Sequence, residues 1–185
     1  MYRRLFIGLF LTALTLMISS CKVEDDFTMN LTHSWTFTNY DQLSFHLTDT
    51  ITRDEFIKAA SSSKDFVDNK DDIKKIEVQK IEYKIQYYGQ NTVIATSASA
   101  NFSEVNGSNP LQALSMTNLD LRAAGDNLYH ETPFNQTNTN KFCDMIWSNP
   151  KCARVQLDAI FDTQPLSMVL TIKGTFKVTF NKSLF

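Results

Sequence analysis

His33, His46 and His130 are the side chains able to move a proton near neutral pH, and each needs a partner to do so. His33 falls among apolar residues on one face of an alternating stretch. There it is either a core histidine satisfied by one backbone bond or, facing a carboxylate, part of a site. His46 falls on the polar face of its own stretch, and His130 stands beside Glu131 in a loop. None has a second ligand at metal spacing, so no metal site is read. Serine, histidine and aspartate all occur, but without a GxSxG elbow, an HExxH pair or a glycine-rich phosphate loop, and the chain has only five glycines. Acids cluster at residues 24–26 and 71–72, in polar segments rather than in a cleft that would raise a carboxyl pKa. The expectation is a protein that is not an enzyme and uses no cofactor.

Aromatic residues give the better binding signal. Tyr87 and Tyr88 end a strand, Tyr129 lies in a loop and Trp147 ends a helix. Together they form a candidate platform for a glycan or a protein partner, because Tyr and Trp join large area to a polar handle. The competing reading is that most of them are core or rim packing.

The chain begins with Arg3 and Arg4, continues through an uncharged apolar run and reaches Ile18-Ser19-Ser20-Cys21. This is the n-region, h-region and cleavage site of a secretory signal. The run is shorter than the roughly 20 residues that cross a bilayer as a helix, and polar sequence follows at once. Ile18-Ser19-Ser20-Cys21 resembles the lipobox of bacterial lipoproteins, with Ile18 where Leu is usual. The resemblance implies cleavage before Cys21, acyl chains on that cysteine and a stable membrane anchor. Lys22 in place of Asp implies outer-membrane delivery, and residues 22–26 resemble the surface-export signal of Bacteroidetes-type lipoproteins, interrupted by Val23. The cell surface is thus slightly favoured over the periplasmic face. Asp49-Thr50-Ile51 resembles the short O-glycosylation motif of Bacteroidetes envelope proteins, which makes Thr50 a candidate acceptor.

The expected organisation is a signal peptide over 1–20, a lipidated tether over 21–26 and a single β-rich domain over 27–185. Residues 1–20 hold two of the 18 basic side chains and no acid, so the remainder carries 16 bases against 20 acids, a net charge of −4. Such a balance argues against nucleic acid as a partner. With Cys21 consumed by lipid, Cys143 and Cys152 remain as the natural disulfide pair of an oxidising compartment, the rival readings being two buried free thiols or half a metal site.

The elements that must position these residues are mostly strands. Residues 27–38 alternate apolar and polar almost without fault, and Leu43, Phe45 and Leu47 repeat the pattern as an expected antiparallel neighbour. Thr52-Arg53-Asp54-Glu55 has the form of a capping box and starts a short helix; the polar run 61–72 reads as a loop. From Ile76 the apolar phase runs on but slips at Gln79-Lys80, which demands a bulge. Phe142, Cys143, Ile146 and Trp147 share one side of a second helix, stopped by Asn149-Pro150. Residues 155–161 and 166–180 read as a terminal hairpin.

About seven one-sided strands need a second layer, which predicts an antiparallel β-sandwich, immunoglobulin-like or jelly-roll-like, with two short helices. A closed barrel is the alternative. The functional expectation is a non-catalytic, lipid-anchored envelope module that binds or assembles with a partner. A carrier of a small apolar ligand is the alternative, separated from the first by whether the interior is packed or open.

Overall fold

The computed structural model describes residues 22–89, 92–148 and 150–183. Cys21 and the leader lie outside them. The elements run β1 (Lys22–Tyr40), β2 (Ser44–Thr52), α1 (Arg53–Ala60), α2 (Lys64–Asn69), β3 (Ile73–Tyr87), β4 (Ile94–Ser103), β5 (Leu111–Asp120), β6 (His130–Glu131), α3 (Gln136–Trp147), β7 (Cys152–Phe161) and β8 (Leu166–Ser183). Two four-stranded antiparallel sheets result, ordered β1-β8-β3-β6 and β2-β7-β4-β5.

This is the expected sandwich, and its connectivity decides between the expected variants. Of the connections between successive strands, only β4–β5 stays within one sheet; every other passes to the opposite layer. That winding, with eight strands, is a jelly roll. It is not a closed barrel, because among the described residues each sheet ends in two edge strands with a single ladder partner, β1 and β6 in one and β2 and β5 in the other.

Two expected pairings are overturned by the same winding. The stretches beginning at Phe27 and Leu43 are not ladder neighbours but edges of different sheets, and β7 and β8 do not form a hairpin, since Thr163-Gln164-Pro165 carries the chain across the sandwich. Period-two alternation states which face of a strand turns inward; both layers turn apolar faces to one shared interior, so the pattern is blind to partner choice.

The capping box forms as expected: Glu55 N–H donates to Thr52 Oγ1 at 3.3 Å while the Thr52 amide donates to Glu55 Oε2 at 2.8 Å. The phase slip in β3 is a bulge, with the register against β8 shifting between Val78 and Lys80. A third helix, α2, lies within the run expected to be a loop. It is capped by Ser63, whose side chain accepts from Phe66 N, and it exists to bury Phe66, which has no exposed surface.

Residues 22–26 are strand, with 23–26 exposed to solvent. They are the first rungs of the β1–β8 ladder, and Glu24, Asp25 and Asp26 pair with Lys74 (2.6 Å), Lys182 (3.2 Å) and Lys177 (2.9 Å). The bond from Lys74 holds the Glu24 carboxyl below its ordinary value; for Asp25 the Asp26 amide does so first and Lys182 second.

Candidate functional site

The inward side chains build two separate cores. One, at the helical end, joins Met29, Phe56, Phe66, Val78, Trp147 and Val178. The other, at the far end, joins Phe37, Ile85, Val93, Leu121, Phe161 and Leu166. Between them the alternating stripes continue but do not meet, and a cavity of about 440 Å³ is left. Cavities of roughly 300–1,000 Å³ are the usual size for small-ligand sites, whereas an apolar void of about 150 Å³ already takes benzene. A smaller space of about 80 Å³ continues it toward the far core, sharing Trp35, Ile81, Ala100, Leu114, Leu157 and Ile172 as walls.

The gap has a cause in the sequence. Sheets that pack about 10 Å apart fill their interface by setting large side chains against small ones. Here small residues come from both layers: Ala100 and Ala113 on β4 and β5, and Gly174 on β8. A Cβ on Gly174 would lie 2.7 Å from the Phe176 ring, so that ring covers the place a side chain would take. Phe102 and Phe142 stack at 3.9 Å and make a flat wall, while Leu31, Val155 and Ile172 supply aliphatic surface.

Apart from Thr139, the polar lining residues lie at the mouth, between the outer edges of β1 and β2. Thr32 and His33 come from β1, Asp49 and Thr50 from β2 and Glu55 from the first turn of α1. Deeper in, the Thr139 hydroxyl is turned back to its own helix, donating to the Asn135 and Gln136 carbonyls at 3.0 and 3.1 Å. His33 does take the inward side of its strand, but it is exposed rather than a core histidine, with its ring edge-on to Trp35 at 4.4 Å. An edge strand facing an open cavity gives it no backbone partner to be buried against.

The other histidines are engaged elsewhere. On the outer face of the second sheet, His46 Nδ1 meets Asp158 Oδ1 at 2.6 Å and Thr48 Oγ1 meets His46 Nε2 at 3.1 Å. The connectivity is that of a nucleophile, base and acid, but the surroundings are those of a flat exposed sheet. His46 and Asp158 are simply opposite one another in the ladder, Thr48 lines neither of the two cavities described, and the strand amides point along the ladder rather than at an oxyanion. Burial raises the Asp158 pKa but is outweighed by hydrogen bonds from His46 and Gln156, so the carboxyl sits below its ordinary value. His130 bonds Asp126 at 2.8 Å and stacks on Tyr83, with ring centres 5.5 Å apart.

The four candidate aromatics are not brought together. Trp147 is core, its Nε1–H donating to the Ile73 carbonyl and its ring lying under the Arg53 guanidinium at 4.1 Å. Tyr87 packs against the far core, where burial raises its pKa. Tyr88 is exposed, and Tyr129 is half-covered by the ammonium groups of Lys84 and Lys173, 5.2 and 4.9 Å from its ring centre. Thr50 is exposed at the cavity mouth, its amide donating to Asp49 Oδ1 at 2.7 Å.

The expected disulfide is likewise corrected: Cys143 and Cys152 are both free thiols. Cys143 faces the helical core from α3, where burial pushes its thiol up to about 12. Cys152 opens β7 with its sulfur turned to the Pro150 carbonyl, 3.9 Å away. Among the described residues no group of three or more His, Cys, Asp or Glu is placed to hold a metal.

Of the cavity's lining, His33 and Thr50 are the residues that the sequence offers as candidates. Trp35, Asp49, Glu55, Ala100 and Gly174 carry no such mark, although small residues over 95–100 and one glycine in an eight-position apolar stripe of β8 are signals of an open interior.

No family model matches the chain, and no curated protein does. Among solved structures it is similar to the "decameric BFDV Capsid Protein" at 8% identity and TM-score 0.40, covering 85% of this chain and 100% of that one. It is also similar to Desmodium yellow mottle tymovirus at 9% identity and TM-score 0.36, with coverage of 88% and 90%. Turnip yellow mosaic virus follows at 9% and 0.34, covering 87% and 96%.

Proposed function

We propose that this chain is a lipid-anchored envelope protein that carries a small, largely apolar ligand between its two sheets. One observation carries the reading: an apolar cavity of about 440 Å³, open between two unpaired strand edges, in place of a continuous core. A pure assembly module would have a filled interior and an exposed aromatic patch; here the interior is open and the candidate patch is dispersed. Mouth polarity and wall apolarity together match the ordinary division of labour in ligand sites, where burial supplies affinity and a few polar groups fix orientation.

Photo-crosslinking of the full chain in phospholipid nanodiscs with diazirine-tagged dodecanol tests the cavity. Adducts are expected on peptides containing Leu31, Phe102 and Val155, and Ala100→Leu should reduce them. Adducts confined to the outer faces would remove the carrier reading. The anchor is tested separately by the intact mass of membrane-extracted protein, which should begin at an acylated Cys21.

A further inference from the structure

We infer that the cavity takes an amphiphile whose apolar chain lies between the sheets and whose cationic, hydrogen-bond-donating head is held at the mouth by Asp49 and Glu55. This rests on the carrier reading and adds the chemistry of the head group.

The charge at the mouth has one sign. Asp49 on β2 and Glu55 on α1 both line the opening, and among the described residues no lysine or arginine lines the cavity. Lys58, one turn beyond Glu55, contributes to Glu55's electrostatics but is not among the lining residues. His33, Thr32 and Thr50 complete the rim. Each carboxylate has one oxygen committed within the chain: Asp49 Oδ1 accepts from the Thr50 amide, and Glu55 Oε2 accepts from the Thr52 amide and hydroxyl. The second oxygen of each remains to accept from a visitor. Those bonds from Thr52, the amide first, hold the Glu55 carboxyl below its ordinary value.

The interior cannot serve a polar head instead. Its one buried hydroxyl, Thr139, is spent on its own helix, and the remaining walls are aliphatic, aromatic or small. A charged head drawn inward would lose hydration with nothing in return, so it stays at the rim while the chain is buried. An anionic head at the same rim would meet two like charges.

Head-group preference is read by displacing the diazirine-dodecanol probe from the full chain in phosphatidylcholine nanodiscs with dodecylamine, dodecanol or dodecanoate. Dodecylamine should displace it at a concentration about fivefold below that of dodecanol, the size expected of partly exposed ion pairs, and dodecanoate should be the weakest of the three. The double variant Asp49→Asn, Glu55→Gln should erase the amine's advantage and leave displacement by dodecanol unchanged. Both replacements spare the fold: Gln still completes a capping box, and Asn still offers a carbonyl oxygen to the Thr50 amide. Unchanged dodecanol displacement shows that the variant's cavity is intact. Equal displacement by all three heads, a preference for the carboxylate, or an amine advantage that survives the double variant would each overturn the head-group assignment. Failure of the probe to enter the cavity at all would overturn the carrier reading instead.

Discussion

Along β8 one alternating stripe has two fates. Leu166 near its start and Val178 near its end have no exposed surface, whereas Leu170, Ile172 and Phe176 between them are only half-buried. The residue types are equivalent, and so is the strand. What differs is the layer opposite: helices α1 and α3 and large side chains close the ends, while Ala100 and Ala113 leave the middle open. Alternation gives a side chain its direction, and only its neighbours across the interface give it enclosure.

This contrast is most sharply broken by substitutions at its extremes. Phe66→Ala, which empties a fully enclosed site, should cost about 3–5 kcal/mol in chemical denaturation, and Leu166→Ala about 2–5. The same helical core makes stability pH-dependent on its alkaline side. The Cys143 thiol is protonated in the folded chain up to about 12 against an ordinary 9.0, so the unfolded chain loses its proton first. Stability is therefore complete below pH 9 and falls as pH rises toward 12, by up to about 1.4 kcal/mol per unit. Urea titrations should show a steeper alkaline loss in the parent than in Cys143→Ala, where only the other groups with raised folded pKa values, Tyr83 and Tyr87 among them, still contribute. Native-state thiol labelling should mark Cys152 well before Cys143.

In the middle region Ile172→Ala should cost only about 1 kcal/mol, because part of its surface already faces open space. If it costs as much as Leu166→Ala, the two regions are equally packed and the comparison fails. Ala100→Leu should then do the reverse of an ordinary core overpacking, raising stability by about 0.5–1 kcal/mol as it fills the gap. The smallest effect belongs to the surface: Lys182→Ala breaks an exposed pair with Asp25 and should leave the unfolding midpoint unchanged within error.

The sandwich was legible because its strands are one-sided, and local chemistry placed α1 and the bulge after Val78. What stayed hidden was long-range. Residues 27–38 and 43–47 share a pattern, but which sheet each joins depends on strands more than a hundred residues away. Helix α2 escaped because six residues with a single buried aromatic make no periodicity. The disulfide expectation counted cysteines and assigned a compartment, yet Cys143 lies on the face of α3 that packs the core. The cavity escaped for a related reason: it is made of missing side chains from both sheets, and a sequence shows Ala100, Ala113 and Gly174 without showing that they share one space.

The start of the β1 ladder at residue 22 has a mechanical consequence for a chain acylated at Cys21. In such a chain no flexible linker would follow the acylated residue, because the strand begins with the next one. The ten residues of strand from Lys22 to Leu31 span about 30 Å, close to the thickness of a bilayer's hydrocarbon core. The cavity would ride at a set height above the lipid, opening sideways between β1 and β2. Its ligand would then arrive from the aqueous side or from a neighbouring protein of matching reach, not by sliding up from the membrane beneath.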